Sequence, residues 1–130
     1  MNTKQTRRGF LRTGGAGATL LLLGTRASGR IIGANDRVRI GVAGLNGRGQ
    51  SHIGGWLDQE NVELAYLADP DENVLNRAIA GVSKRTEGKQ SPNAVADIRR
   101  ALEDKSVDAI SIATPNHWHS LATIWACQAG

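Results

Sequence analysis

The sequence predicts an α/β fold built on a doubly wound parallel sheet with strand order 3-2-1-4. Three observations lead to this fold class. Short apolar segments rich in β-branched residues alternate with segments whose apolar residues recur at helical spacing. A glycine-rich turn follows the first apolar segment, and an aspartate follows the second. Because helices that join parallel strands cross in the right-handed sense, four such repeats are most simply arranged in this order.

The first strand is predicted at Val38 to Ala43. Only Arg39 interrupts its apolar run, which is typical of a strand buried on both faces of a parallel sheet. A helix is predicted from Gln50 to Gln59, because its apolar residues recur at helical spacing. The glycine-rich turn therefore joins the end of a strand to the start of a helix.

That turn follows the spacing G-x-G-x-x-G, with asparagine in the second glycine position. At the start of a helix, free backbone N–H groups and the positive end of the helix dipole favour an anion. A dinucleotide pyrophosphate is the usual occupant of such a turn. An ordinary strand-to-helix turn is the alternative, since glycine patterns also arise by chance. The candidate cofactor-binding residues of the turn are Gly44, Asn46, Gly47, Arg48 and Gly49.

A second strand is predicted at Val62 to Ala68, and Asp69 follows it. Asp69 lies 69 − 49 = 20 positions beyond Gly49. At this separation, dinucleotide-binding folds place the carboxylate that accepts from the adenosine ribose hydroxyls. A turn-forming aspartate before Pro70 is the alternative. A carboxylate at this place repels a 2′-phosphate, so we expect NAD to be preferred over NADP.

The segment after Pro70 is predicted to be a helix that ends at Gly81. The polar segment from Ser83 to Pro92 is predicted to be an exposed loop. Its Lys84-Arg85 pair is able in principle to meet a 2′-phosphate, but a solvated charge run is favoured.

Two further strand and helix pairs are predicted towards the end of the chain. A weak strand at Asn93 to Ala96 precedes Asp97, a suitable N-cap for a short helix from Ile98 to Asp104. A buried strand is predicted at Val107 to Ala113. It ends at a Thr-Pro-Asn turn, because proline cannot continue a central strand. The last helix has three apolar residues on one face, namely Leu121, Ile124 and Trp125.

The tripeptide His117-Trp118-His119 follows this turn. Two such histidines can bind zinc, but a catalytic zinc usually takes three protein ligands, and side chains two apart diverge on a helix. We favour a packed Trp118 with one polar histidine towards the cofactor site, and predict no metal site. Cys127 is the only cysteine, so it cannot form an intrachain disulfide, and we expect a packed structural residue.

The net charge of +4 does not indicate a nucleic-acid partner. The first thirty residues contain six basic and no acidic residues, which leaves 10 basic and 12 acidic residues, a net of −2, in the remainder. A nucleic-acid-binding protein needs its basic excess on the folded surface that meets phosphate.

The basic excess instead precedes a short apolar stretch from Ala16 to Leu23, followed by small residues. This order describes an export signal, and the apolar stretch is too short to span a bilayer. The surroundings of Arg7 and Arg8 resemble the twin-arginine signal. We therefore predict a twin-arginine signal peptide at residues 1–30, a linker at 31–36 and a folded domain at 37–130. The protein is expected to use the twin-arginine export machinery and to be periplasmic.

Three motifs stand in order behind the signal, G-V-A-G-L-N-G-R-G, L-A-D-P-D and V-D-A-I-S-I-A-T-P-N-H-W-H. Together they resemble the glucose-fructose oxidoreductase, inositol dehydrogenase and MocA (Gfo/Idh/MocA) family, over about Val38 to Gly130. The resemblance implies a Rossmann domain followed by a larger α/β domain, and oxidation or reduction of sugars and polyols with NAD or NADP. A homo-oligomer is possible for the full-length protein. The resemblance adds four residues to the cofactor side of the site, namely Thr114, Pro115, Asn116 and His119.

The chain departs from the family pattern in two places. Asn46 replaces the second glycine, where a Cβ crowds the pyrophosphate, although asparagine tolerates a left-handed backbone better than most residues. The sequence also stops at Gly130, before the strand that ends in Glu-Lys-Pro and carries the family's catalytic lysine. We therefore expect a fragment without a catalytic residue that does not turn over a sugar alone. A noncatalytic nucleotide-binding Rossmann module and a methyltransferase-like domain are the alternatives.

Overall fold

The computed structural model describes residues 37–130. Residues 1–36, where the signal peptide and linker are predicted, lie outside the described residues. The strands are β1 (Val38–Ala43), β2 (Val62–Ala68), β3 (Asn93–Val95) and β4 (Ala109–Ile112). The helices are α1 (Arg48–Leu57), α2 (Glu72–Arg85), α3 (Ile98–Glu103) and α4 (Asn116–Ala129).

The described strands form one parallel sheet in the order β3-β2-β1-β4. This confirms the predicted fold class and strand order. The register between β1 and β2 shifts by one residue, because Ile40 lies opposite Leu64 whereas Gly41 lies opposite Tyr66. Glycine suits position 41, since a Cβ there would lie 2.6 Å from the Cδ1 atom of Ile110 on β4.

The helices cover the sheet on opposite faces. Right-handed crossovers from β1 to β2 and from β2 to β3 place α1 and α2 on one face, and the return from β3 to β4 places α3 on the other. Arg85, the last residue of α2, forms an ion pair with Asp58, directly after α1. On the other face, the guanidinium of Arg99 lies 5.2 Å from the ring centre of Trp125 on α4. The carboxyl ends of the strands therefore share one edge with the N-termini of α1, α2 and α4.

The hydrophobic core lies between the sheet and the two helices α1 and α2. Aliphatic side chains fill it, as the low aromatic content of 4% leads one to expect. Burial of such side chains contributes roughly 1.5–3 kcal/mol each and is the main source of stability. The members of this cluster are Ile40, Val42, Leu45, Ile53, Leu64, Leu67, Val74, Leu75, Ala78 and Val82.

Helix α2 continues beyond its predicted end at Gly81. A Cβ at Gly81 would meet nothing within 4 Å, and the next residue, Val82, is only 1% exposed, so its burial outweighs the helix propensity of one glycine. The helix ends where Glu87 and Gly88 adopt positive φ. The N–H of Gly88 donates to the carbonyl of Ser83 at 2.8 Å, a closing bond typical of a helix C-terminus.

Strand β3 is short, and a side chain takes over part of its role. β3 pairs only with the last three residues of β2. Beside the first half of β2, the Gln90 side chain accepts from the N–H of Leu64 at 2.9 Å and donates to the carbonyl of Val62 at 3.3 Å. Gln90 thus satisfies the backbone of β2 where strand pairing has not begun.

Strand β4 and helix α4 are partly uncovered. β4 is shorter than the predicted strand and half-buried, because no described strand pairs with its outer edge. Trp118 is 46% exposed, so the prediction of a packed Trp118 is wrong. The exposed Cys127 likewise contradicts the prediction of a packed cysteine. Among the described residues, no helix is both long and apolar enough to cross a membrane.

Candidate functional site

Two residues of the turn between β1 and α1 have a positive φ. Gly44 has φ of 78° and Gly47 has φ of 48°. Glycine reaches this region without the steric penalty of a Cβ. Asn46 is not among the described residues with positive φ, so its tolerance of that conformation is not needed. Gly47 has the positive φ instead and forms the N-cap of α1.

Gly44 and Gly49 are required by close packing. A Cβ on Gly44 would lie 2.6 Å from the backbone nitrogen of Thr114, after β4. A Cβ on Gly49 would lie 2.0 Å from the carbonyl oxygen of Gly44. Both distances are shorter than any contact that a real Cβ makes. A Cβ on Gly47, in contrast, would project into open space. The turn is therefore packed between α1 and the end of β4, with its middle facing outward.

The middle of the turn presents free backbone donors. The N–H of Gly49 donates to the carbonyl of Asn46 at 2.9 Å, and the N–H of Gln50 donates to that of Gly47 at 3.2 Å. No described group accepts from the N–H groups of Asn46, Gly47 and Arg48, and all three residues are exposed. Free N–H groups at the positive end of a helix dipole are the kind of donors that suit a phosphate or pyrophosphate.

Leu45 anchors the turn to the hydrophobic core. Its side chain is fully buried in the core. Its N–H donates to Oδ2 of Asp69 at 2.8 Å, and its carbonyl oxygen accepts from Nε2 of Gln50 at 2.7 Å. Two side chains therefore replace the strand and helix partners that the peptide groups of Leu45 do not have.

Asp69 lies where the sequence places it, directly after β2 and beside the glycine turn. Its Oδ1 accepts from the N–H of Asp71 at 3.0 Å, which is the local turn expected of an aspartate before Pro70. Its own N–H donates to the carbonyl of Val95 at 3.1 Å. Asp69 thus forms the local turn, and its carboxylate also contacts the glycine turn after β1.

The corner between β4 and α4 completes this edge. The side-chain oxygen of Thr114 is buried and has no hydrogen-bond partner among the described residues. Nε2 of His119 lies 2.6 Å from the carbonyl oxygen of Thr114. Because a carbonyl only accepts, Nε2 carries the hydrogen. His119 thus closes the corner, and Thr114 retains a buried hydroxyl that a bound group can satisfy.

The sequence-predicted site residues therefore fall into two groups. Contacts bring the glycine turn, Asp69 and Thr114 together, and join His119 to them through the carbonyl of Thr114. Pro115 and Asn116 are exposed at the start of α4, with no described side-chain contact to the turn. The free N–H groups, the buried hydroxyl and the glycine cradle fit a dinucleotide.

The structure does not support the alternative in which Lys84 and Arg85 meet a 2′-phosphate. Both residues lie at the end of α2, which begins at the carboxyl edge and runs away from it for 14 residues, or about 20 Å. Arg85 is also paired with Asp58. The basic pair therefore lies at the opposite edge of the sheet from Asp69.

An open groove of about 360 Å³ lies over β4, beside α1. Within it, Nδ1 of His52 is 2.9 Å from Oγ of Ser111. His52 is half-buried, in agreement with its interpretation as a partly packed residue. The described residues contain no group of three or more potential metal ligands. The groove is lined by His52, Gly55, Trp56, Gln59 and Ser111.

A polar network occupies the amino edge of the sheet, away from the turn. Asp104 accepts from the hydroxyl and the N–H of Ser106, at 2.6 and 2.9 Å, and from the hydroxyl of Tyr66 at 3.2 Å. The hydrogen bonds from Ser106 lower the pKa of Asp104. Burial, followed by the bond to Asp104, raises the pKa of Tyr66. This network stabilises the fold and takes no part in the candidate site.

The fold and the site agree with one protein family. A family model described as "Oxidoreductase family, NAD-binding Rossmann fold" matches residues 38–130. The chain belongs to the Gfo/Idh/MocA family. This confirms the resemblance seen in the sequence motifs, and the Gfo/Idh/MocA membership identifies the four-stranded unit as an NAD-binding Rossmann domain.

Curated relatives and solved structures extend this comparison. A glycosyl hydrolase family 109 protein of Shewanella baltica is 32% identical over 109 residues, and the alpha-N-acetylgalactosaminidase of Shewanella oneidensis is 29% identical over 109 residues. Each match covers 82% of this chain and 24% of the relative, so the chain spans about a quarter of the relatives' length. The crystal structure of GenD2 from gentamicin A biosynthesis in complex with NAD has a TM-score of 0.62 at 22% identity. That match covers 82% of this chain and 28% of GenD2, and it shows the fold.

Two contributors to this Gfo/Idh/MocA site were missed by the sequence reasoning. Leu45 is an x position of the fingerprint, where no residue type is specified. Gln50 appeared only as the start of a helix. A buried leucine between two glycines and a glutamine five residues later are the signals available in the sequence, but neither is specific.

Proposed function

We propose that residues 38–130 bind NAD as the cofactor domain of an exported oxidoreductase acting on sugars or related polyols. The observation that carries this proposal is the row of three free N–H groups at the start of α1, next to the carboxylate of Asp69. In this assignment the N–H groups of Asn46, Gly47 and Arg48 bind the pyrophosphate, and Asp69 accepts from the adenosine ribose.

The preference for NAD is part of the proposal. A carboxylate carries about four acceptor positions. Asp69 uses one on the N–H of Leu45 and one on that of Asp71, so about two remain for ribose hydroxyls. The 2′-phosphate of NADP would instead meet a negative charge, and the basic pair at Lys84 and Arg85 lies at the other end of α2.

The residues of the chain bind and orient the cofactor. Thr114 offers its buried hydroxyl at the end of β4, and His119 holds the corner that carries it. When bound, the dinucleotide supplies hydride acceptance or donation. Proton transfer to or from the substrate needs a further group, which we assign to none of the described residues.

The sugar class is supported by the names of the relatives. Two curated relatives are named as a glycosyl hydrolase and an alpha-N-acetylgalactosaminidase. We propose that the whole protein acts on a sugar or a glycoside, with a cofactor domain of the kind described here.

Export by the twin-arginine route is supported by Arg7 and Arg8 ahead of the apolar stretch.

The binding proposal is tested by a matched pair of glycine substitutions on α1. Gly49→Ala forces a Cβ into the carbonyl of Gly44, whereas Gly55→Ala adds a Cβ that meets nothing within 4 Å. Fluorescence titration with NADH is expected to give binding about five- to 150-fold weaker for Gly49→Ala, since overpacking costs roughly 1–3 kcal/mol. Gly55→Ala is expected to bind as the unaltered chain does. Equal binding by both variants would defeat the assignment of the turn.

A further inference from the structure

Both peptide groups around Leu45 are held by side chains. Asp69 accepts from the N–H of Leu45 at 2.8 Å, and Gln50 donates to its carbonyl oxygen at 2.7 Å. Leu45 lies between β1 and α1, so neither a strand nor a helix supplies these partners. Its side chain is 0% exposed, which fixes the Cα position from the core side.

Planarity makes these two bonds control the free donors of the turn. The described chain contains no cis peptide bond. In a planar trans peptide unit, the C=O and the N–H point in opposite directions. The carbonyl of Leu45 and the N–H of Asn46 belong to one such unit. The bond from Gln50 to the Leu45 carbonyl therefore sets the direction of the Asn46 N–H, the first of the three free donors.

The preceding peptide unit is fixed in the same way. It contains the carbonyl of Gly44 and the N–H of Leu45, which Asp69 holds. The carbonyl oxygen of Gly44 is the atom that a Cβ on Gly49 would approach to 2.0 Å. Asp69 thus orients the Gly44 carbonyl towards α1, and Gln50 orients the Asn46 N–H away from it.

We propose that Gln50 is a positioning residue of the phosphate-binding turn, which it preorganises by holding the carbonyl of Leu45. This inference rests on the proposed function, because the free N–H groups act on a pyrophosphate only if a dinucleotide binds. In this role Gln50 acts through the carbonyl of Leu45. It lowers the cost of binding, since the Asn46 N–H already points outward before the ligand arrives.

The test replaces the amide donor and keeps the length of the side chain. Gln50→Met is unbranched, favours a helix and cannot donate to a carbonyl. Gln59→Met is the matched control, because Gln59 also donates to a backbone carbonyl, that of Gly55 at 3.3 Å, and lies just beyond the same helix. ADP, which carries a diphosphate, and adenosine, which carries none, are titrated into the full chain and followed by amide chemical shifts.

Gln50→Met is expected to bind ADP about three- to tenfold more weakly than the unaltered chain, the effect of one hydrogen bond. Its affinity for adenosine and that of Gln59→Met for both ligands should not change. Unchanged ADP binding by Gln50→Met, or an equal loss for ADP and adenosine, would overturn the positioning role and leave the cofactor assignment standing. An unaltered chain that binds neither ADP nor NADH would overturn both.

Discussion

The backbone N–H of Leu45 donates a 2.8 Å hydrogen bond to Oδ2 of Asp69. This bond joins the turn after β1 to the acid after β2, the two features by which a dinucleotide-binding sequence is recognised. The turn that holds Asp69 in place is therefore also the turn that presents the three free N–H groups. Recognition of the ribose and recognition of the pyrophosphate are expected to depend on each other.

Substitution of Asp69 tests the role of its charge. Asp69→Asn keeps an oxygen for the Leu45 N–H but removes the charge that repels a 2′-phosphate, whereas Asp69→Ala removes both. We expect the unaltered chain to bind NAD more tightly than NADP. The preference should fall roughly tenfold in Asp69→Asn, because like charges a few ångströms apart interact by about 1–4 kcal/mol. Titration of both cofactors measures it, and tighter NADP binding by the unaltered chain would contradict the assignment.

The 130-residue chain is expected to bind a dinucleotide without reducing it. Hydride transfer needs a placed substrate carbon and a group that moves the hydroxyl proton. His119 follows the end of β4 and is a candidate for this group, but its Nε2 donates to the carbonyl of Thr114. Incubation with NAD and a panel of sugars and polyols should leave the reduced-nicotinamide absorbance unchanged. Turnover that His119→Ala abolishes would show that the chain contains an acid–base group.

Gln90 is expected to contribute to stability through the backbone of β2. Its side chain bonds the N–H of Leu64 and the carbonyl of Val62. Gln90→Ala leaves both groups without a partner, so the free energy of unfolding should fall by about 1–3 kcal/mol. Gln59→Ala removes a single exposed bond and should change it by less than about 0.5 kcal/mol. Urea denaturation followed by circular dichroism gives both values, and equal losses would argue against this role of Gln90.

The stability of the fold should depend on pH through Asp104. Hydrogen bonds from Ser106 lower the pKa of this carboxyl in the folded chain. A lowered folded-state pKa means that the stabilisation is present above the unfolded value of about 3.9 and is lost as the pH falls through the folded value. The melting temperature of the unaltered chain should therefore exceed that of Asp104→Asn at neutral pH.

The same difference should narrow as the pH falls from the unfolded value of about 3.9 through the lower pKa of the folded chain. Ser106→Ala removes the largest cause of the lowered pKa, so in that background the effect of Asp104→Asn on the melting temperature should depend less on pH. Scanning calorimetry between pH 3 and 7 measures these differences. A gap that stays constant across this range would exclude the proposed linkage.

Export is expected to depend on the arginine pair at the start of the chain. Replacement of both Arg7 and Arg8 by lysine keeps the charge but removes the feature that resembles a twin-arginine signal. The variant should remain in the cytoplasm, whereas Arg26→Lys, outside the pair, should be exported normally. Fractionation of producing cells, followed by immunoblotting, distinguishes the compartments. Unimpaired export of the double variant would exclude this route.

The sheet was predictable because its signals are local. Val38 to Ala43 reads as a strand from its apolar residues, and right-handed crossovers then determine the strand order. Helix ends were less predictable. Gly81 resembles a stop, but the buried Val82 behind it continues the helix. The burial of Val82 extends the helix to Arg85, and burial cannot be read directly from a sequence.

The site was predictable only where a residue type is required. Gly44, Gly49 and Asp69 follow from the fingerprint, because close packing excludes a side chain and a ribose site favours a carboxylate. The role of Gln50 could not be predicted, since it depends on which peptide groups lack partners in three dimensions. Trp118 and Cys127 were expected to be packed because of their residue types, and the uncovered side of α4 leaves both exposed.

The contact between Gly44 and Thr114 also has a consequence for protein synthesis. The two residues are 114 − 44 = 70 positions apart, yet a Cβ on Gly44 would come within 2.6 Å of the Thr114 nitrogen. A ribosome therefore has to release almost the whole described domain before the turn can close. Pairings of such sequence separation form late and slowly. The nascent chain should acquire nucleotide affinity abruptly, after Thr114 has left the ribosome. The onset of nucleotide binding would then report the time at which the turn closes.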